Sequence, residues 1–178
     1  MPELLDAPLT EKGRQQALML QSKVQSLKYK PELVLFSPNC RALQTGIIVF
    51  ESLRGQNVPF LAHEMAREET GVHMCDKRRP KSRQQAEFPM IDFSLLDTEE
   101  DSIFMTDRRE TKIEVAERVY KFLEWLEKRP EKHIGISSHS AWLLTTFNAN
   151  MQCDERLRGW FQTGEMRSAI LEFIRPEK

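Results

Sequence analysis

The chain has 178 residues, 40% hydrophobic and 30% charged, with a formal net charge of −1 from 26 basic and 27 acidic side chains. That length suits one domain with a substantial core, and the near-neutral balance excludes a global attraction to nucleic acid or a membrane surface. No segment is apolar for long enough to span a bilayer. MPELLDAPLTEKG lacks the basic and apolar stretches of a secretory signal, and three scattered cysteines (Cys40, Cys75, Cys153) fit a reducing cytoplasm better than a disulfide framework.

In chain order, Thr10 can cap a helix whose apolar positions Ala17, Leu20, Val24 and Leu27 recur every three or four residues. Pro31 follows, and LVLFS (33–37) reads as a short buried strand ended by Pro38 and Asn39. RALQTGIIVFESL has helical spacing through Leu43, Ile47 and Phe50, and FLAHE predicts a second strand. Residues 67–110 show no clear period, combining CDKRRPKSRQQ with the acidic DTEEDS. They read as a polar insertion over one face of a single domain covering 1–178.

Order returns at TKIE, which has the T-x-x-E form of a capping box. Ile113, Ala116, Tyr120, Leu123 and Leu126 then predict one face of a helix ending before Pro130. HIGISS (133–138) reads as a strand, AWLLTTFN as the helix directly after it, and RSAILEFI (167–174) as a last strand. Strands separated by helices predict an α/β domain of three layers, α/β/α, around a mainly parallel sheet.

Ligands of such sheets sit outside the carboxyl ends of the strands, where helices begin. Two polar clusters fall there, SPNCRALQT and SHS. Arg41 at a helix start offers a guanidinium fork beside free backbone amides, an arrangement suited to a phosphoryl group. His139 enters the same crevice if its strand neighbours the first. Taken singly, a surface ion pair explains Arg41 and a hydrogen-bonded structural role explains His139.

Read in order, DAPLTEKGRQQA, FSPNCRALQT, REETG and SSHS resemble the histidine phosphatase superfamily, the phosphoglycerate-mutase-like fold. The resemblance runs from about Asp6 to the last strand, and SP-x-x-R-A-x-Q-T is its strongest single motif. It implies that Arg41 binds phosphate, that His139 donates hydrogen bonds to phosphoryl oxygens, and that Glu68 protonates the leaving oxygen, with Glu69 the alternative one residue on. A carboxylic acid in that role needs a raised pKa. The resemblance also implies a phosphohistidine intermediate, no metal and no cofactor.

The family's nucleophile lies in an Arg-His-Gly motif ahead of the segment matching DAPLTEKG, and that tripeptide does not occur in the chain. His63, His73 and His133 are poor replacements. Three expectations follow: an inactive descendant that binds phosphorylated ligands, a shortened product, or a homo-oligomer in which a neighbour supplies the strand. The sheet is therefore expected to lack the family's first strand.

Other chemistries fit less well. The positions six residues after Cys40, Cys75 and Cys153 hold Gly46, Lys81 and Gly159, so the C-x5-R pattern of cysteine phosphatases is not met. Cys40 reads as a small core residue. His73 and Cys75 have no recognised zinc spacing, and no G-x-x-x-x-G-K-[ST] loop occurs. The run Lys77, Arg78, Arg79, Lys81 and Arg83 reads first as a solvated face, then as a hold on the non-reacting anionic end of a substrate. A nucleic-acid patch ranks last, because aromatics are not interleaved and DTEED lies nearby. Trp125, Trp142 and Trp160 read as packing residues. The expected partner is a small phosphorylated molecule, bound by Arg41, Glu68 and His139 with Ser140, Lys77 and Arg78 assisting.

Overall fold

The computed structural model describes residues 5–174. Its centre is a parallel sheet of three short strands, β1 (Leu33–Phe36), β2 (Phe60–Ala62) and β3 (Ile134–Ser137), in the order β2-β1-β3. Register is fixed by pairs such as Leu35 with Leu61 and Leu35 with Ile136. Alternation along β1 sends Val34 and Phe36 to one face and Leu33 and Leu35 to the other, and all four are fully buried.

Helices cover both faces. On one side Val34 and Phe36 pack with Ala17, Leu20 and Val24 of α1 (Glu11–Ser26) and with Cys40, Leu43 and Val49 of α2 (Cys40–Val49). Gly46 lets α2 come this close: a Cβ there would collide with the Phe36 ring and the Ser137 side chain. On the other side Leu33 and Leu35 pack with Trp142 and with Val115, Val119 and Phe122 of α4 (Lys112–Glu127). This is the expected three-layer arrangement.

Local signals account for the starts of α1 and α4. Thr10 accepts a hydrogen bond from the Gly13 amide, and Thr111 and Glu114 form a complete capping box. The buried face of α4 differs from the expected stripe. Leu123 and Leu126 are buried, but Ile113 is 72% and Tyr120 58% exposed, while Val115, Val119 and Phe122 line the core. Two apolar stripes overlap on this helix, and the sheet selects the one that meets Leu33 and Leu35.

The middle of the chain is less polar in place than in composition. It contains α3 (Lys81–Glu87), and Phe88, Ile91, Phe93 and Leu96 join the α1–α2 core. Leu61 also forms an isolated parallel bridge with Asp92. The apolar residues are spaced irregularly because turns, not a regular element, carry them.

No strand forms at 167–174, and Ile170 and Ile174 are largely exposed. The segment has strand-like residues, but a strand exists only by pairing, and no edge is paired with it among the described residues. Trp142 is buried as expected, whereas Trp125 is half-buried under Arg129 and Trp160 is more than half exposed. Among the described residues, no helix is long and apolar enough to cross a membrane.

Candidate active site

The carboxyl ends of β1 and β3 lie side by side, because Phe36 pairs with Ser137. The chain leaves β1 through Ser37 and enters α2, and it leaves β3 through Ser138 and His139 into α5 (Ser140–Ala149). His139 stands at the N-cap of α5, buried, with Nε2 2.8 Å from Ser37 Oγ. The two polar clusters singled out in the sequence therefore meet directly. Ser138 and Ser137 are spent on structure, donating to the carbonyls of Ala66 and Ala42. Ser140 is half-buried at the first position of α5.

Glu68 reaches the same place from the loop after β2. Its carboxylate accepts the Trp142 amide at 3.1 Å and the Ala141 amide at 3.4 Å, occupying the start of α5. Burial pushes the carboxyl pKa up, and it outweighs the Glu69 and Ala141 amides and Arg41, which favour the charged form. Glu69 faces away, in ion pairs with Arg109 and Lys112. Burial raises the Glu69 pKa, but these cations outweigh it and leave the carboxyl below its usual range. The geometry thus separates the two neighbours, one with its pKa raised at the helix start and one with its pKa lowered at the rim.

The segment that carries Glu68 is clamped from behind. Arg118 of α4 donates to the carbonyls of Met65, Arg67 and Glu68 and forms a paired ion bridge with Glu110. The indole of Trp142 donates to the Met65 carbonyl at 2.7 Å. Arg67 is fully buried and holds Asp101 through two terminal nitrogens and Glu64 through one. Burial drives the His139 pKa well below its usual value, and the charges of Arg41, Arg67 and Arg118 add to the effect. The imidazole is therefore neutral, set among guanidiniums that are themselves paired with Asp76, Glu64, Asp101 and Glu110.

Arg41 lies on the first turn of α2, as expected, within electrostatic reach of both His139 and Glu68. Its guanidinium donates to the Cys75 carbonyl at 2.8 Å and to Asp76 Oδ1 at 2.7 Å. The sequence reading missed Asp76, Ser37, Arg67, Arg109 and Arg118. Ser37 carried a signal, since it closes the strand directly before Pro38. Asp76, Arg67 and Arg109 lie in the 67–110 segment that read as solvated, and Arg118 is a charged position on the predicted helix after Thr111.

Arg78 and Lys77 are placed differently from each other. Arg78 is 1% exposed, with its guanidinium donating to the carbonyls of Thr98, Arg79, Glu99 and Glu100 and paired with Glu64. It knits the 97–101 turn to the 78–79 segment, so its side chain faces protein acceptors and not the crevice. Lys77 is half-buried with its ammonium 5.6 Å from the centre of the Phe104 ring. Arg79 pairs with the fully buried Asp6, whose carboxylate also accepts the Cys40 amide at the start of α2. Cys40 is buried as expected, and burial raises its thiol to about 11.

The remaining histidines have other surroundings. His63 is buried edge-on against Phe122 and Trp125, His133 stacks on Tyr29 at the opposite end of β3, and the exposed His73 precedes the Met74–Asp76 turn. Among the described residues, no group of three or more His, Cys, Asp or Glu side chains could hold a metal ion.

Comparison with known proteins gives this geometry a context. The family model described as "Histidine phosphatase superfamily (branch 1)" matches residues 2–175. Phosphoglycerate mutase-like protein 1 of Arabidopsis thaliana is 37% identical over 201 aligned residues, covering 95% of this chain and 71% of that protein. A second Arabidopsis phosphoglycerate mutase-like protein is 36% identical, with 95% and 74% covered. Among solved structures, the alpha-ribazole phosphatase from Shigella flexneri superposes with a TM-score of 0.56 at 24% identity, over 89% of this chain and 76% of that one. An ecdysone phosphate phosphatase from Bombix mori, solved with tungstate, gives 0.57 at 19% identity, over 83% of this chain and 60% of that one. The structural matches support the fold, and the family match and the Arabidopsis relatives settle the ancestry: the chain belongs to branch 1 of the histidine phosphatase superfamily.

Proposed function

We propose that the chain recognises a small phosphate ester in the crevice between the ends of β1 and β3. Arg41 and His139 receive the phosphoryl oxygens, Ser140 and Lys77 lie at its edge, and Glu68 supplies the proton to the leaving oxygen. The observation that carries this reading is the convergence of a neutral buried His139, a Glu68 with raised proton affinity and three guanidiniums from distant parts of the chain. A carboxyl whose pKa is raised by burial, beside a phosphate-binding arginine, is suited to protonating a leaving alkoxide. The related phosphatases support phosphomonoester chemistry: the phosphoryl group leaves the ester oxygen for a histidine nitrogen, the family's intermediate, and water then releases it as phosphate. No cofactor enters this reading, and the cytoplasm is the proposed compartment.

A second reading is a phospholigand-binding protein without turnover. The histidine inventory favours it, because His139 already holds Ser37, His63 and His133 are occupied elsewhere, and the exposed His73 sits at the N-cap of the Met74–Asp76 turn. Incubating the chain with p-nitrophenyl phosphate separates the two. Turnover abolished by His139→Ala, with a phosphorylated species by intact mass, supports the enzyme. No turnover, with inorganic phosphate raising the melting temperature in a His139-dependent way, supports the binding protein. Neither turnover nor phosphate protection would refute both.

A further inference from the structure

The carboxylate of Asp76 is held by two arginines, one on each oxygen. Arg41 Nη2 lies 2.7 Å from Oδ1 and Arg109 Nη1 lies 3.2 Å from Oδ2. The arginines come from α2 and from the segment before α4, and each keeps more than a quarter of its side chain exposed, whereas Asp76 is nearly buried between them. Two guanidiniums facing separate oxygens of one anion are also the donor set that binds a phosphoryl group.

Asp76 sits at the end of a single-turn helix, Met74–Asp76, that starts just past Gly71. Gly71 has a φ of +103°, and a Cβ there would run into the Arg108 carbonyl, so glycine sets the path that brings Arg109 against this turn. Arg109 is further located by the carbonyls of Glu69 and Gly71 and the Glu69 carboxylate. These contacts hold Arg109 without Asp76, and the Asp76 carboxylate is what links it to Arg41. A phosphate arriving at Arg41 meets an anion already paired with that guanidinium.

We propose that Arg109 is a second anion-binding arginine of this site, and that Asp76 is an internal competitor that phosphate must displace from Arg41 and Arg109. The inference rests on the phosphate-site reading above and adds the residue that limits its affinity. A carboxylate serving only to orient Arg41 gives the opposite sign on removal, which makes the point testable.

The test is calorimetric titration of inorganic phosphate into the full chain, its Asp76→Asn and Arg109→Gln variants and the double variant, each checked for a cooperative thermal transition. Removing the competing charge is expected to tighten phosphate about tenfold, and Arg109→Gln to weaken it about tenfold. The double variant should lose the gain of Asp76→Asn. Should Asp76→Asn not fold, Asp76→Ser carries the same expectation. Unchanged or weaker phosphate binding in the Asp76 variants, with His139-dependent binding in the parent chain, overturns the competitor role while the site reading survives. Undiminished binding in Arg109→Gln overturns its assignment. No binding in any form refutes the site reading and this inference together.

Discussion

His139 and Ser37 are 102 positions apart in sequence and share a 2.8 Å hydrogen bond that ties the end of β3 to the end of β1. Removing the hydroxyl with Ser37→Ala leaves a buried imidazole nitrogen without its partner, at an expected cost of about 1–3 kcal/mol. A lower urea midpoint at unchanged slope would register this. An unaltered midpoint would mean that the neighbouring backbone alone positions His139.

Glu68 predicts a pH dependence. Its folded-state pKa is raised above the usual 4.5, so its contribution to stability is fully present below 4.5 and is lost as pH rises through the folded value. Glu68→Gln keeps an acceptor for the Ala141 and Trp142 amides but cannot ionise. The stability of the parent chain minus that of the variant, followed by urea unfolding from pH 4 upward, should fall with pH. A flat difference would show that burial does not hold the proton.

His63 predicts the opposite slope. Burial against Phe122 and Trp125 lowers its pKa from 6.5 to about 4, so its stabilising contribution is complete above 6.5 and disappears as pH falls toward 4. His63→Gln should flatten the acid limb of the stability curve between those values, by up to about 3 kcal/mol. Coincident acid limbs for parent and variant would contradict this.

Arg67 and Asp101 form a fully buried pair, with Arg67 held also by Glu64. Burial raises the Asp101 pKa, but Arg67 outweighs it and holds the carboxyl below its usual range. Asp101→Ala strands the guanidinium and is expected to cost about 3–5 kcal/mol, more than Asp101→Asn, which retains hydrogen-bond acceptors. Equal midpoints for the two variants would show that Glu64 alone neutralises Arg67.

The sheet and the outline of the site were legible in the sequence for identifiable reasons. LVLF is apolar at every position because β1 is covered on both faces, and Thr111 with Glu114 is a local signal that needs no tertiary context. Arg41, Glu68 and His139 were found by motif, and the fold brings them into electrostatic reach of one another. Buried charge was hidden. Arg67, Arg78 and Asp76 read as part of a solvated segment, yet each is buried by sequence-distant partners, as Arg67 is by Asp101 34 residues away and Asp76 by Arg41 35 residues away. The 167–174 segment fails in the other direction, because composition supplies strand-like residues but cannot supply an edge to pair with.

The grip of Trp142 on the Glu68 loop has a consequence for biosynthesis. Glu68 takes two of its amide partners from Ala141 and Trp142, and the Met65 carbonyl takes the Trp142 indole. A ribosome-bound chain that has emerged only through β3 therefore has Glu68 in sequence but not in place. The crevice is completed late, when α5 docks, and a stop at Ser140, Ala141 or Trp142 removes these contacts while leaving Arg41, Glu68 and His139 in the chain.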